Sequence, residues 1–196
     1  MKKVILFSII ALGALCSFNA NAQVIEEFEG NSLNWQEYAS SRREAVIKEG
    51  VLHLKSSGEL IFATCTAPID FTEPFKVTAT VKNLKLNSDD KGLAIIFNYS
   101  DNFNCDVFYI SEETVKYVKL SEEKRARFRD SDFKLNKKLK EHQIVLQYRN
   151  RKAELIIDDV QCLEVSYVTM NYNGFGFGVY GNDQEASIEK VEFRQM

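Results

Sequence analysis

Three arginines recur at every second position near the middle of the chain. Arg125, Arg127 and Arg129 alternate with Ala126 and Phe128. On a strand, this spacing places the guanidinium groups on one face, about 7 Å apart. Guanidinium groups bind planar carboxylate and sulfate groups in a fork geometry, so the row predicts a surface for an acidic polymer. The alternative interpretation is a solvated face whose charge is balanced by nearby glutamates.

Aromatic side chains are dense just before this row. A tyrosine ring can stack on a sugar ring while its hydroxyl bonds to sugar oxygens. The predicted ligand contacts are Tyr99, Phe103, Tyr109 and Tyr117. Strict alternation predicts that Tyr99 shares a strand face with Phe97. The alternative is that most of these rings fill the interior of the domain.

The side chains required for the commonest hydrolytic and zinc chemistry are sparse. The chain has two histidines, His53 and His142, too few for a zinc site or a Ser-His-Asp triad without unusual placement. The adjacent pairs 112–113 and 122–123 are glutamates, and adjacent residues on a strand point to opposite faces. The sequence therefore singles out no catalytic residue.

Composition and charge limit the class of protein. The 196 residues are 45% hydrophobic and 27% charged, which argues against both disorder and a membrane bundle. The formal net charge is −3, and a mildly acidic domain lacks the basic surface of a general nucleic-acid binder.

The N-terminus has the anatomy of an export signal. Met1 is followed by two basic residues, Lys2 and Lys3. Residues 4–18 are apolar, and small residues precede Gln23. The apolar run is shorter than the ~20 residues of a spanning helix, so we predict cleavage after Ala22 and no transmembrane segment thereafter. Leu15 before Cys16 is a poor fit to a lipid-attachment site. The predicted destination is the periplasm, the cell surface or the medium.

Three cysteines remain after this cleavage: Cys65, Cys105 and Cys162. An oxidising compartment would allow one disulfide, with three pairings to choose from. The alternative is three separate buried thiols that pack as small apolar side chains.

Short alternating apolar runs recur along the rest of the chain and predict half-buried strands. They cover residues 51–55, 76–82, 93–99, 107–110, 115–120, 144–148, 155–157, 160–165, 175–180 and 188–193. Glu49-Gly50 and Asp158-Asp159 are typical of tight turns between strands. Glycine alternates with large residues over 175–179, which favours the close approach of another strand or a ligand. The pattern predicts one all-β domain, residues 23–196, folded as an antiparallel β-sandwich or jelly roll.

Both ends of this domain resemble a known superfamily. The start is Glu26-Glu27-Phe28-Glu29-Gly30 with Trp35 soon after, and the closing run is 186–193. These segments, with 50–54 and 174–181 between them, resemble concanavalin A-like (LamG-like) jelly rolls. Laminarinase-type glycoside hydrolases and the secreted 3-keto-disaccharide hydrolases are among these. The resemblance implies a jelly-roll sandwich in which Trp35 packs under the N-terminal strand.

The resemblance also implies a structural calcium ion. Its ligands would be Glu27, Glu189 and the carbonyl oxygen of Gly50, a partial set of the hard oxygens that calcium prefers. The alternative is that both glutamates face solvent. The catalytic Glu-x-Asp-x-x-Glu strand of the laminarinase-type enzymes is missing from this sequence, which puts glycoside hydrolysis in doubt.

These observations favour an exported, non-catalytic jelly-roll module that binds a carbohydrate or another envelope component. One alternative is a glycan-active hydrolase of the same superfamily. A second is a structural or adhesion subunit that binds a protein partner.

Overall fold

The computed structural model of the protein describes residues 23–86, 92–101, 104–121, 124–166 and 168–196, with side chains at all of these except 124–128. The predicted signal, residues 1–22, lies outside this part of the chain. Regular structure in these ranges is all strand, in two antiparallel sheets, which confirms the predicted all-β sandwich of the jelly-roll class. No helix in the described ranges is long and apolar enough to cross a bilayer.

Among the described residues, fifteen strands make up the two sheets. In chain order they are β1 (Gln23–Glu26), β2 (Tyr38–Ala39), β3 (Glu44–Lys48), β4 (Val51–Ser56), β5 (Ile61–Thr66), β6 (Phe75–Lys85), β7 (Leu93–Asp101), β8 (Asn104–Ile110), β9 (Thr114–Ser121), β10 (Lys124–Asp132), β11 (Glu141–Arg149), β12 (Lys152–Ile157), β13 (Val160–Ser166), β14 (Gly174–Val179) and β15 (Gln184–Gln195).

Within the part of the chain that the structure describes, the larger sheet has nine strands and the smaller has six. The larger runs β13-β12-β11-β6-β15-β4-β3-β2, and β1 pairs with the part of β15 beyond β4. The smaller runs β10-β9-β8-β7-β14-β5. Since β14 lies between β7 and the edge strand β5 in the smaller sheet, segments far apart in sequence meet there.

The predicted turns are confirmed by their backbone angles. Glu49 and Gly50 have φ of 55° and 73°, and Asp158 and Asp159 have φ of 50° and 65°. Two successive left-handed residues are what a type I′ hairpin turn requires, and short polar residues or glycine adopt them at little cost.

The core lies between the sheets and is rich in phenylalanine. On β6 the alternating residues from Phe75 to Val81 are buried, as period-two spacing predicts. The Phe175 ring on the smaller sheet lies 5.3 Å from the Phe193 ring on the larger one, which ties the layers together. Trp35 is 2% exposed and its ring lies 5.6 Å from that of Phe28, so its predicted packing beside the N-terminal segment is confirmed.

The glycines of β14 let its neighbouring strand come close. A Cβ atom at Gly176 would lie 2.5 Å from the Ala63 carbonyl oxygen, and one at Gly178 would lie 2.6 Å from that of Ile61. Real Cβ atoms do not approach so near, so the alternation over 175–179 serves strand packing, as predicted.

The three cysteines are buried and unpaired in the structure. Burial is the main cause that raises the pKa of Cys65 and Cys105 to about 12 and that of Cys162 to about 11. This arrangement agrees with the interpretation of three separate thiols.

Candidate functional site

The outer faces of the two sheets differ in chemistry. On the larger sheet, β6 turns Lys76, Thr78, Thr80 and Lys82 outward. On the smaller sheet, β7 and β8 carry a second apolar cluster outside the main core. Its members are Ala94, Ile96, Cys105 and Val107, covered by Leu60, Phe62, Tyr99, Tyr109 and Leu120. An apolar cluster on the outer face of a domain often marks a binding surface.

A groove of about 1250 Å³ lies at one end of this smaller sheet. Its walls come from the loop before β2, the loop after β5, the end of β7 and the loop before β14. Tyr99 and Tyr172 contribute aromatic rings. Hydroxyl and amide side chains supply most of the polar lining: Ser32, Asn34, Gln36, Thr64, Thr66, Thr72, Ser100, Asn171, Asn173 and Gln195.

Hydrogen bonds hold these loops against the sheet. The backbone amide of Gln36 donates to the Thr64 carbonyl at 2.8 Å. The Asn173 carbonyl accepts the Ala67 amide at 2.7 Å, and its side-chain Oδ1 accepts the Phe71 amide at 3.1 Å. The groove is therefore preformed, which reduces the conformational entropy that a ligand must offset on binding.

Tyr172 is held in place by Asn98. The Tyr172 side chain is 44% exposed, and its backbone amide donates to Asn98 Oδ1 at 3.0 Å, beside the Asn171 amide at 2.7 Å. Asn98 is buried and has φ of 50°, in a β-bulge where β7 loses its register with β8. The bulge thus turns the Asn98 amide towards the loop that carries Tyr172.

Asp106 anchors Asn98 from below. This carboxylate is 0% exposed; it accepts a 2.6 Å hydrogen bond from Asn98 Nδ2 and another from the Tyr117 hydroxyl. The Lys119 ammonium lies 3.6 Å from it and supplies a countercharge. A buried charge is tolerated when it is paired and hydrogen-bonded in this way. Its function in the site is positioning, because it acts on Tyr172 through Asn98.

A small apolar pocket adjoins the groove. Its volume is about 190 Å³, and Tyr99 lines both cavities. The Phe62 and Tyr99 rings meet edge to face at 6.1 Å. Burial raises the pKa of Tyr109, on the other side of the pocket, to about 12, so this phenol stays protonated at neutral pH.

The predicted aromatic contacts separate into three groups. Tyr99 and Tyr109 lie on the outer face of the smaller sheet, where a ligand can reach them. The prediction that Tyr117 contacts a ligand is wrong, since Tyr117 is 4% exposed and belongs to the core between the sheets. Phe103 lies outside the described residues. The predicted common face of Phe97 and Tyr99 is also corrected, because the bulge at Asn98 leaves Phe97 in the core and Tyr99 outside.

The arginine row lies on β10, at the edge of the smaller sheet. The register pairs Arg127 with Lys119 and Arg129 with Tyr117, and it shifts between Lys124 and Arg127, which interrupts the alternation at Arg125. The side chains of Arg125 and Arg127 lie outside the described part. Arg129 is exposed, and its charge adds to the lowering of the Glu164 pKa, of which the Lys152 hydrogen bond is the main cause. Arg129 therefore interacts with Glu164 on β13, and its own strand lies at the opposite edge of the smaller sheet from β5 and the groove.

The two predicted calcium ligands differ in their surroundings. Glu27 is exposed, and its carbonyl oxygen would lie 3.9 Å from a Cβ atom on Gly50, so these two residues are neighbours. The Glu189 carboxylate forms an ion pair with the Lys82 ammonium at 2.7 Å, and this contact raises the pKa of Lys82. No group of three or more His, Cys, Asp or Glu side chains suited to a metal ion occurs among the described residues. The described oxygens thus fall short of a calcium coordination shell, and the site stays a prediction.

Most of the groove was not identified from the sequence. Asn171, Asn173 and Gly174 are residues typical of a loop, but nothing in the sequence marks Tyr172 between them as a ligand contact. Gln36 and Thr66 had no signal, since their meeting depends on the long-range bridge between Gln36 and Thr64 on β5. Asn98 is the one amide in the apolar run 93–99, and this interruption is its only mark in the sequence.

No protein-family model matches the sequence, and no curated protein matches it either. Solved structures do. The exoplasmic/lumenal domain of VIP36, bound to Ca²⁺ and Man3GlcNAc, has a TM-score of 0.64 at 10% identity, covering 89% of this chain and 88% of that one. The endo-β-1,3-glucanase of Pyrococcus furiosus has a TM-score of 0.58 at 14% identity, covering 88% and 93%. The carbohydrate-binding module CBM66 of Bacillus subtilis has a TM-score of 0.55 at 15% identity, covering 80% and 94%.

These three structures are concanavalin A-like jelly rolls, and this chain has the same fold, as the resemblance at its two ends implied. At such low identities the similarity shows the fold alone. Lectin structures among the matches hold Ca²⁺ or K⁺.

Proposed function

We propose that this protein binds a saccharide in the groove beside Tyr99 and Tyr172. The observation that carries the proposal is the lining, in which two tyrosine rings are combined with uncharged hydroxyl and amide groups. A sugar has an apolar face of C–H groups and a rim of hydroxyls, and such a lining matches both. Structures of a carbohydrate-binding module, a lectin and a glucanase with this fold support the same class of ligand.

Binding without cleavage is the mode that the carboxylates favour. Glycosidases hold two carboxyl groups about 5 to 9.5 Å apart, one with a raised pKa. Asp70 is the one carboxylate among the described residues that line the groove. Hydrogen bonds from Thr72 lower its pKa, which is opposite to the need of an acid catalyst. Hydrolysis is the alternative function, and glucanases of this fold are the observation in its favour.

Export and a structural cation complete the proposal. Cleavage after Ala22 would deliver the domain outside the cytoplasm, where it meets carbohydrate or another envelope component; N-terminal sequencing of the protein from cell fractions tests this. A calcium ion at Glu27 and Glu189 would compete with the Lys82 ammonium for the Glu189 carboxylate.

A thermal-shift screen tests saccharide binding. The panel contains β-1,3-glucan, β-1,3-1,4-glucan and mannose oligosaccharides. A ligand at about 100 times its Kd adds about 2.7 kcal/mol to the free energy of unfolding, so it raises Tm by several degrees. Analysis of the products formed on the same saccharide separates a binder from a hydrolase.

Two tyrosine variants make the test specific to the groove. Tyr172→Ala should abolish the shift. Tyr38→Ala is the matched control, because Tyr38 is 43% exposed against 44% for Tyr172, and it lies on β2, outside the groove lining. A panel without any shift, or equal binding by wild type and Tyr172→Ala, would overturn the proposal.

A further inference from the structure

The apolar pocket beside the groove has the lining of a site for an uncharged group. Three rings, from Phe62, Tyr99 and Tyr109, line it together with aliphatic side chains that include Ile96 and Val107. None of the described residues that line it carries a charge at neutral pH. Polar hydroxyls of a saccharide would lose their hydrogen bonds to water in such a pocket and regain few of them.

The size of the pocket limits its occupant to a single ring. Pockets that take whole drug-sized ligands measure about 300–1,000 Å³, and this one measures about 190 Å³. An apolar cavity of about 150 Å³ is large enough to bind benzene. The pocket therefore suits one aryl group and is too small for a disaccharide or a long acyl chain.

Tyr99 connects this pocket to the saccharide groove, since it lines both. We propose that the apolar pocket is a subsite for an uncharged aryl substituent carried by the saccharide that occupies the groove. This inference rests on the proposed function and narrows its ligand class to aryl-substituted saccharides. The edge-to-face arrangement of Phe62 and Tyr99 suits a third ring, because aromatic rings prefer tilted or offset contacts.

Benzyl alcohol tests the pocket by itself. We expect a titration followed by amide NMR to shift the resonances of Ile96 and Val107 in a saturable way. Val107→Phe fills the pocket and should weaken this binding at least about tenfold. Val145→Phe is the matched control, the same change on the outward side of β11 in the other sheet, and should bind like wild type. Absence of a saturable shift at the pocket, or equal binding by Val107→Phe, overturns the inference.

Glycosides then separate the inference from the proposed function. For a saccharide that the panel identifies, the phenyl glycoside should bind about tenfold more tightly than the methyl glycoside. Val107→Phe should remove this advantage and leave the methyl glycoside unaffected, whereas Tyr172→Ala should weaken both. Methyl and phenyl glycosides of equal affinity overturn the aryl subsite while the groove still stands. If no saccharide binds but benzyl alcohol still does, the proposed saccharide site in the groove is overturned. The saccharide part of this inference is then overturned with it.

Discussion

Asn98→Gly should loosen the loop that carries Tyr172. Glycine adopts the φ of 50° found at Asn98 without strain, so the substitution removes the side chain and spares the backbone. Four hydrogen bonds between described residues disappear: one to Asp106, one to the Thr169 carbonyl, and one from each of the amides at 171 and 172.

The expected loss of stability follows from the types of these bonds. A bond to a charged group contributes about 1.5–3 kcal/mol net, and each neutral one about 0.5–1.5 kcal/mol. The sum overstates the effect, because water from the adjoining cavity of about 340 Å³ can reach the freed groups. We expect the free energy of unfolding to fall by about 3 kcal/mol, which lowers Tm by about 6–12 °C for a chain of this length.

Two assays follow the change, with a matched control. Thermal melts measure stability, and hydrogen exchange measures protection of the amides of Asn171 and Tyr172, which lose their acceptor. Asn83→Gly is the control, since Asn83 has φ of 49° but is exposed and makes one long contact, 3.4 Å, to Ser187. It should lose less than about 1 kcal/mol.

Equal melting temperatures for Asn98→Gly and Asn83→Gly would show that the Asn98 side chain adds nothing to stability. Unchanged exchange at Asn171 and Tyr172 would equally contradict the prediction, because both amides donate to Asn98 Oδ1. If the saccharide groove is correct, the same variant should also bind its saccharide at least about tenfold more weakly, since Tyr172 is no longer fixed.

Three further predictions concern other parts of the molecule. The thiols of Cys65 and Cys105 have an ordinary pKa of 9.0 and a pKa of about 12 in the folded protein, so between these pH values only the unfolded state loses the protons. Tm should therefore fall from pH 8 to 10.5, and it should fall less steeply in Cys65→Ala. Parallel pH profiles of Tm for wild type and Cys65→Ala would contradict this. If Glu27 and Glu189 hold calcium, a chelator should lower Tm; an unchanged melt removes the site. Arg127→Ala should weaken binding of a sulfated polysaccharide at unchanged Tm and leave neutral saccharides unaffected, and equal affinity for the sulfated polymer contradicts the arginine-row prediction.

The fold could be predicted because its signals are local. Alternation of apolar and polar residues reports which side of a strand is buried, as β6 shows between Phe75 and Val81. Turn residues such as Asp158-Asp159 report their own backbone conformation. Both depend on a few consecutive residues, so no knowledge of the partner strands is needed.

Strict alternation failed where the backbone left its regular register. The rule placed Tyr99 with Phe97, but the bulge at Asn98 inserts an extra residue and sends the two rings to opposite sides of the sheet. A bulge is fixed by contacts with other segments, here with Asp106 and the loop at 171–172. Alternation along β9 likewise cannot say which of its two faces meets the core, and Tyr117 lies on the buried one.

The class of fold and the supply of aromatic and amide side chains follow from the order of the amino acids. Which of these side chains form a site depends on long-range strand pairing. Thr66, Tyr99 and Tyr172 come together because β14 pairs with β5 on one side and β7 on the other. Gln36 joins them through its bridge to Thr64 on β5. The β14–β5 pairing joins residues more than a hundred positions apart, and the β14–β7 pairing joins residues 75 to 86 positions apart. A local pattern carries no information about such contacts, since each strand could pair with several others at similar local cost.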